Sequence, residues 1–304
     1  MHTRISRYFT AVAQHGSMRD AADALHVAQS ALSRSIQGLE QEFGVTLLER
    51  HSRGVVLTAA GQIFLRYARD ELAQIQHLRA ELDALTGLRR GTVRIHAVES
   101  LARSLLPRLI GAYWARHPGV AFDVETDSSD HISKAVSEAE TDIGLTYNSL
   151  IASDIEVRVQ VREPLVALVA SGHPLARAKA ITLRDAAAYP IALTTKTSRS
   201  RFLIDEACRK AGVSLSPIME TNYIELLTSI VEQGRAVTFL LRLSAADRIA
   251  AGMIAAVPVR SELMNRGTIE MLTRASRKLS PAGEEFLVFL GNELKAYQTG
   301  KRAD

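Results

Sequence analysis

From Thr58, a candidate N-cap, to about residue 86 the chain contains no proline. Leu65, Ala68, Leu72, Ile75, Leu82 and Leu85 recur there at mostly three- and four-residue spacing. A helix of that length spans roughly 40 Å at about 1.5 Å per residue, and its apolar seam calls for a second helix beside it. It also divides the chain, because helical patterns precede it and alternating strand and helix patterns follow, with Gly87 to Gly91 as the boundary. The reading is a segment 1–58, a connecting helix 59–90 and a larger body 91–304. With 304 residues, 47% of them hydrophobic, the chain can bury two or three real cores, which excludes disorder. Cys208 is the single cysteine, so no internal disulfide forms and a reducing cytoplasm fits. The opening Met1-His2-Thr3-Arg4 leads into an amphipathic stretch, and no segment approaches the roughly 18 uninterrupted apolar residues of a membrane span. Neither secretion nor a membrane partner is expected.

Within 1–58, Ile5, Tyr8, Phe9, Val12 and Ala13 share one face of a first helix ended by Gly16. Ser17 with Asp20 resembles a capping box opening a short second helix with Ala21, Ala22 and Leu25 inward. After His26-Val27-Ala28, a third helix turns Leu32, Ile36, Leu39 and Phe43 inward, and Gly44 stops it. Residues 45–50 and 55–58 then read as two short strands around the polar turn His51-Ser52-Arg53-Gly54, a candidate wing.

Two short helices joined by a tight turn meet the physical requirement of a helix-turn-helix, whose second helix fits a major groove about 12 Å wide. The outer face of the third helix carries Gln29, Ser30, Ser33, Arg34 and Gln37. Arg pairs with guanine and Gln with adenine through two hydrogen bonds, while Ser serves phosphates or either base type. Arg50 and Arg53 flank the wing turn, in reach of backbone or minor groove. The same pattern also suits the solvated face of a small helical bundle. Net charge does not decide the matter: the chain carries +4, and residues 1–58 hold six Arg against five acids.

Residues 21–36, AADALHVAQSALSRSI, resemble the DNA-reading segment of LysR-type transcriptional regulators. Leu39-Glu40-Gln41-Glu42-Phe43-Gly44-Val45, Leu48-Glu49-Arg50, Arg53-Gly54-Val55-Val56-Leu57-Thr58 and Ala60-Gly61 follow that family's order. Glu163-Pro164-Leu165, His173-Pro174-Leu175 and Leu279-Ser280-Pro281-Ala282-Gly283 resemble its later phrases. Ala28 departs from the family's Ser or Thr cap, a loss of roughly 1 kcal/mol, Ser30 stands where Pro is common, and Met18 where an aromatic is.

Beyond residue 91, strands are expected at 92–98, 120–125, 142–147, 165–170, 190–195, 217–221, 236–241 and 268–273. Helices are expected at about 100–116, 131–139, 182–188, 199–211, 224–233 and 281–297. This alternation argues for an α/β body with mainly parallel sheets. The resemblance implies that the body is a two-lobed effector domain like the type 2 periplasmic binding proteins. Lobe 1 would be about 91–163 and 264–304 and lobe 2 about 164–263, with crossings near Glu163 and near Ser261 to Asn265. The expected fold class is therefore α + α/β: a winged helix-turn-helix, a long linker helix and a two-lobed domain.

Ligands of open α/β sheets sit beyond the carboxyl ends of strands, against helix N-termini that favour anions. Strand 92–98 ends at Glu99-Ser100 and strand 190–194 at Thr195-Lys196-Thr197-Ser198-Arg199, each with a helix following. Facing each other across a cleft, these ends would make Ser100, Ser128, Ser129, Thr146, Thr195 and Asn222 polar contacts. Arg103, Lys196, Arg199 and Arg201 would neutralise a carboxylate, phosphate or sulfate. The same residues also serve as helix caps and solvated loop charges, and Glu99 would repel an anion unless paired, which leaves a cationic or zwitterionic effector open.

Catalytic and metal readings find no support. Cys208 has no neighbouring His, the nine His lack HxH or HExxH spacing, and no phosphate loop or nucleophile elbow occurs. No cofactor is expected beyond the effector. The seam predicts a homodimer, and the resemblance implies homotetramers built as pairs of dimers on double-stranded promoter DNA, with activation through RNA polymerase. The rival readings are a cytosolic small-molecule-binding protein and an enzyme of binding-protein fold, neither with a DNA function.

Overall fold

The computed structural model describes residues 2–51, 54–85, 91–275 and 277–298, so Arg53, at the tip of the expected wing, and the boundary at 87–90 lie outside the described residues. The chain forms two compact units. The first holds α1 (His2–His15), α2 (Met18–Leu25), α3 (Gln29–Phe43), β1 (Leu48–His51), β2 (Gly54–Leu57) and α4 (Ala59–Leu85).

Local chemistry sets these boundaries. Gly16 ends α1 at φ +61°, and Ser17 Oγ accepts the Asp20 N–H at 3.3 Å to open α2. The α2–α3 turn runs through His26 in the left-handed region, and α3 starts at Ala28 with no side-chain cap. Thr58 Oγ1 accepts the Gly61 N–H at 3.0 Å, capping α4. A Cβ at Gly61 would stand 2.1 Å from the Leu47 carbonyl oxygen, so α4 passes the backbone just before β1 at a distance only glycine permits.

Phe9, Val12, Ala21, Leu32, Ile36, Leu39, Phe64, Leu65 and Ala68 form one buried cluster, with the Phe9 and Phe64 rings edge to face at 4.9 Å. Phe43 corrects the expected inward face of α3. It is 53% exposed, because the last turn runs past the three-helix core and only leans on Phe64. The α4 seam divides as well. Leu65 and Ala68 belong to this core, Leu72 and Ile75 are half-buried, and Leu82 is 53% exposed, as is Leu78, which was not among the expected seam residues but extends the seam between Ile75 and Leu82. The side chain of Leu85 lies outside the described residues.

The second unit runs β3 (Gly91–Ala97), α5 (Glu99–Ser104), α6 (Leu106–Trp114), β4 (Val120–Thr126), α7 (Ser129–Ser137), β5 (Ile143–Tyr147), β6 (Ile155–Arg162) and β7 (Leu165–Ala170). It continues with α8 (Leu183–Ala187), β8 (Ile191–Thr194), α9 (Arg199–Ala211), β9 (Pro217–Thr221), α10 (Ile224–Glu232), β10 (Thr238–Leu241), α11 (Ala246–Ala250), β11 (Ile254–Pro258), β12 (Thr268–Arg274) and α12 (Pro281–Gln298). One sheet has the order β4-β3-β5-β12-β6. The other joins β10-β7-β11 to β8-β9 through a parallel bridge between Ile191 and Val237. The chain leaves the first lobe after β6 and re-enters it with β12.

The expectation of mainly parallel sheets does not hold. β3 runs parallel to β4 and β5, but β12 is antiparallel to both its neighbours and β7 is antiparallel to β10 and β11. The strands that arrive from the other lobe, rather than through a helical crossover, are the ones that run opposite. The helix expected over 100–116 is two helices broken at Leu105, since Pro107 in the first turn of α6 has no N–H to continue the α5 ladder. Among the described residues no helix is long and apolar enough to cross a membrane.

Candidate nucleic-acid interface and effector cleft

In the first unit, α3 buries Leu32, Ile36 and Leu39, which leaves Gln29, Ser30, Arg34 and Gln37 exposed on the opposite face and Ser33 half-buried beside them. Arg34 Nε donates to the Ser30 carbonyl at 3.3 Å, which lays the side chain along its own helix. Arg50 Nη1, from β1, donates to Ser33 Oγ at 3.1 Å. The two strands are held at their base by Glu40, whose Oε1 accepts the Leu47 and Leu48 N–H groups at 2.8 and 3.1 Å. At β2, the Val55 N–H donates to the Gly16 carbonyl at 2.8 Å. The α3 face and Arg50 therefore form one surface on a fixed frame.

In the second unit a cavity of about 310 Å³ opens between the two sheets. Six of the expected contact residues line it: Ser100, Ser128, Ser129, Thr195, Arg199 and Asn222. The Ser129 hydroxyl is already used twice, donating to the Tyr147 carbonyl and accepting its N–H, both at 3.0 Å. Arg199 Nε donates to the Asn148 carbonyl at 3.0 Å and lies 3.9 Å from Asp130. At α9 the N-cap Ser198 makes no side-chain capping bond, and Ser198, Arg199 and Ser200 at the start of that helix line the cavity.

Two expected contacts are elsewhere. Thr146 is fully buried and donates to Glu270 Oε2 at 3.0 Å inside the first lobe. Arg103 reaches across to the second lobe, where it bonds the Ser244 carbonyl at 3.0 Å and pairs with Glu225 at 2.6 Å. Of the other cations weighed, Arg201 is only 5% exposed and is held by Asp205 and Glu220 at 2.8 Å each, and Lys196 is exposed outside the lining. Among the described residues Arg199 is thus the one arginine or lysine on the cavity wall.

The wall also holds Glu99, expected at this strand end as a group that would repel an anion unless paired, and Ser244, which was not expected there. Glu99 Oε1 accepts the Ile224 N–H at 3.0 Å, so a carboxylate of the first lobe sits at the N-terminus of α10 in the second. Ser244 follows the carboxyl end of β10. Applied to that strand as it was to β3 and β8, the strand-end rule would have found it.

Beneath the cleft, the buried Glu163 stands where the chain crosses lobes. Its Oε1 accepts the Tyr297 hydroxyl and its carbonyl the Tyr147 hydroxyl, each at 3.0 Å. Burial pushes the Glu163 carboxyl above its ordinary value, against the bonds from Tyr297 and from the Leu243 and Arg242 backbone. Burial likewise raises Glu270. Cys208 is buried in α9 and its thiol is pushed up to about 11, so it carries no thiolate at neutral pH. Among the described residues no group of three His, Cys, Asp or Glu could hold a metal.

The fold and these surfaces define a class. Residues 4–62 match the bacterial regulatory helix-turn-helix protein model of the lysR family, and residues 86–295 match the LysR substrate binding domain. The chain belongs to the LysR family: it is a transcriptional regulator, not an enzyme. It is 31% identical over 302 residues to the transcriptional dual regulator GltC of Bacillus subtilis (strain 168), covering 98% of this chain and 100% of that one. Among solved structures it resembles a full-length OxyR variant from Pseudomonas aeruginosa, with a TM-score of 0.74 at 24% identity over 97% of this chain and 94% of the other. It also resembles full-length CbnR complexed with its target DNA, with a TM-score of 0.62 at 23% identity over 96% of this chain and 99% of the other. At such identities these structures speak to the fold.

Proposed function

We propose that this chain is a cytoplasmic regulator that reads promoter DNA with α3, steadies itself on the backbone with the wing, and answers to a small carboxylate or similar anion in the inter-lobe cleft. The observation that carries the DNA reading is the polar face of α3. Gln29, Ser30, Arg34 and Gln37 stand exposed on a helix whose other side is locked into a core, with Arg50 fastened to Ser33. Such a helix presents bidentate Arg and Gln groups to base edges without reorganising. Arg53 is assigned to the same wing contact on its place in the sequence.

The exposed half of the α4 seam, Leu78 and Leu82, supports a homodimer, and pairs of dimers would give a tetramer able to span separated half-sites and contact RNA polymerase as an activator. For the effector, the cavity lies at the small end of ligand pockets, about 300–1,000 Å³. Ser100, Ser128, Thr195, Arg199 and Asn222 are its contacts, and the α9 N-terminus with Arg199 is its anion end. Its binding shifts the population of assemblies only as far as it favours one of them.

Footprinting upstream of the chain's own gene, at defined salt with excess nonspecific competitor, tests the DNA reading. A protected pseudo-palindrome is expected. No protection there or on a genomic fragment library, with folded protein, overturns it.

A further inference from the structure

Resting on the cleft as an effector site, we infer that the part of its wall formed by Glu99, Ser100 and Ser244 binds a hydrogen-bond donor, so that the effector is a small hydroxy or amino carboxylate rather than a plain one. Ser244 lines the cavity at 1% exposure, yet its Oγ has no hydrogen-bond partner. A buried hydroxyl left unmatched costs free energy that a ligand group recovers. Its position is fixed, because its own carbonyl accepts Arg103 Nη1 at 3.0 Å. Ser100, 8% exposed, lines the same cavity from the facing helix.

Glu99 decides the sign of what fits there. One carboxylate oxygen is bound to the Ile224 N–H, and the carboxylate itself lines the cavity. The N-terminus of α10 is therefore already supplied with an anion by the protein, and a second anion placed beside it would be repelled. The opposite holds at α9, where the N-cap Ser198 bonds the Ser200 hydroxyl at 2.6 Å rather than capping the helix backbone, and Arg199 is at hand. A ligand bridging the two ends carries its carboxylate toward α9 and a hydroxyl or ammonium toward Glu99 and Ser244. The modest volume limits it to a short carbon skeleton.

The test is calorimetric titration of the full-length protein with matched acids: propanoate, lactate and L-alanine; succinate, L-malate and L-aspartate; glutarate, 2-hydroxyglutarate and L-glutamate. In at least one set the substituted acid should bind about tenfold or more tightly than its unsubstituted parent, the range of a hydrogen bond to a charged group. Whether the hydroxy or the amino member leads identifies the donor.

Glu99→Gln, whose amide oxygen still accepts the Ile224 N–H, and Ser244→Ala, which removes a hydroxyl with no partner to lose, should each shrink that ratio. Parents binding as tightly as substituted acids, or a ratio unchanged in both variants, overturns this inference and leaves the carboxylate reading standing. Binding of no acid in any set overturns both, and the footprint on DNA is unaffected by that result.

Discussion

Arg50 Nη1 in β1 donates to Ser33 Oγ in α3 across 3.1 Å, which ties the two-stranded sheet to the helix proposed to read DNA. The bond fixes a long side chain that would otherwise lose rotamer freedom on meeting a phosphate. Arg50→Ala should therefore weaken binding to all sequences evenly and lower the salt slope by about one. Ser33→Ala should weaken binding because it frees Arg50, and the double variant should be no worse than Arg50→Ala alone. Fluorescence anisotropy over a salt series reads this. Additive losses would refute the coupling.

Arg34 has a different task. Its Nε is bonded to the Ser30 carbonyl, which holds the guanidinium on the exposed face with no acidic partner nearby on α3. Arg34→Ala should cost about 1 to 3 kcal/mol at the specific site and relax sequence preference at one base-pair position. Competition with single-base variants of the footprinted site measures it. An equal loss on specific and nonspecific DNA would reassign Arg34 to the backbone.

Helical period made the α3 face legible, because Leu32, Ile36 and Leu39 on one side leave the polar residues no other place. The strand-end rule likewise found Ser100 and Arg199. What failed were residues whose partners are remote in sequence: Arg103 bonds a carbonyl 141 positions away, and Thr146 a carboxylate 124 positions away. Strand direction failed for a related reason, since β12 enters from the other lobe and no local pattern records that. β6 was legible and missed: Ile155-Glu156-Val157-Arg158-Val159-Gln160-Val161-Arg162 alternates strictly. Ser244 was open to the same rule that found Ser100.

The divided seam of α4 separates assembly from folding. Leu82, 53% exposed, contributes nothing to the buried cluster of the first unit, whereas Leu65 lies inside it. Leu82→Glu should lower the mass seen by sedimentation without changing the circular dichroism spectrum. Leu65→Glu should unfold the unit, since it buries an unpaired charge. An unaltered mass for Leu82→Glu would place the subunit contact elsewhere.

Glu163 makes the second unit sensitive to pH. The groups facing its carboxyl are the Tyr297 hydroxyl, the Arg242 and Leu243 backbone N–H groups and the Arg242 charge, with Tyr147 on its carbonyl. Burial outweighs them and raises the folded-state value above that of the unfolded chain, and the same is true of Glu270. A carboxyl raised on folding contributes stability that is complete below the unfolded value of about 4.3 and is lost as pH rises through the folded value. Glu225 works in the other direction, because its bond to Arg248 lowers it, so its contribution fades on acidification. The raised pair acts in the window above the ordinary carboxylate value and the lowered one below it. As pH falls toward the ordinary carboxylate value, this pair should therefore add a rise to the thermal midpoint of the unit, opposed by His173, which burial lowers and whose contribution fades on acidification. Glu163→Gln, which keeps an oxygen for Tyr297 and has no proton to gain, should flatten that rise. Equal slopes in the two proteins, read by differential scanning calorimetry, would remove Glu163 as the source.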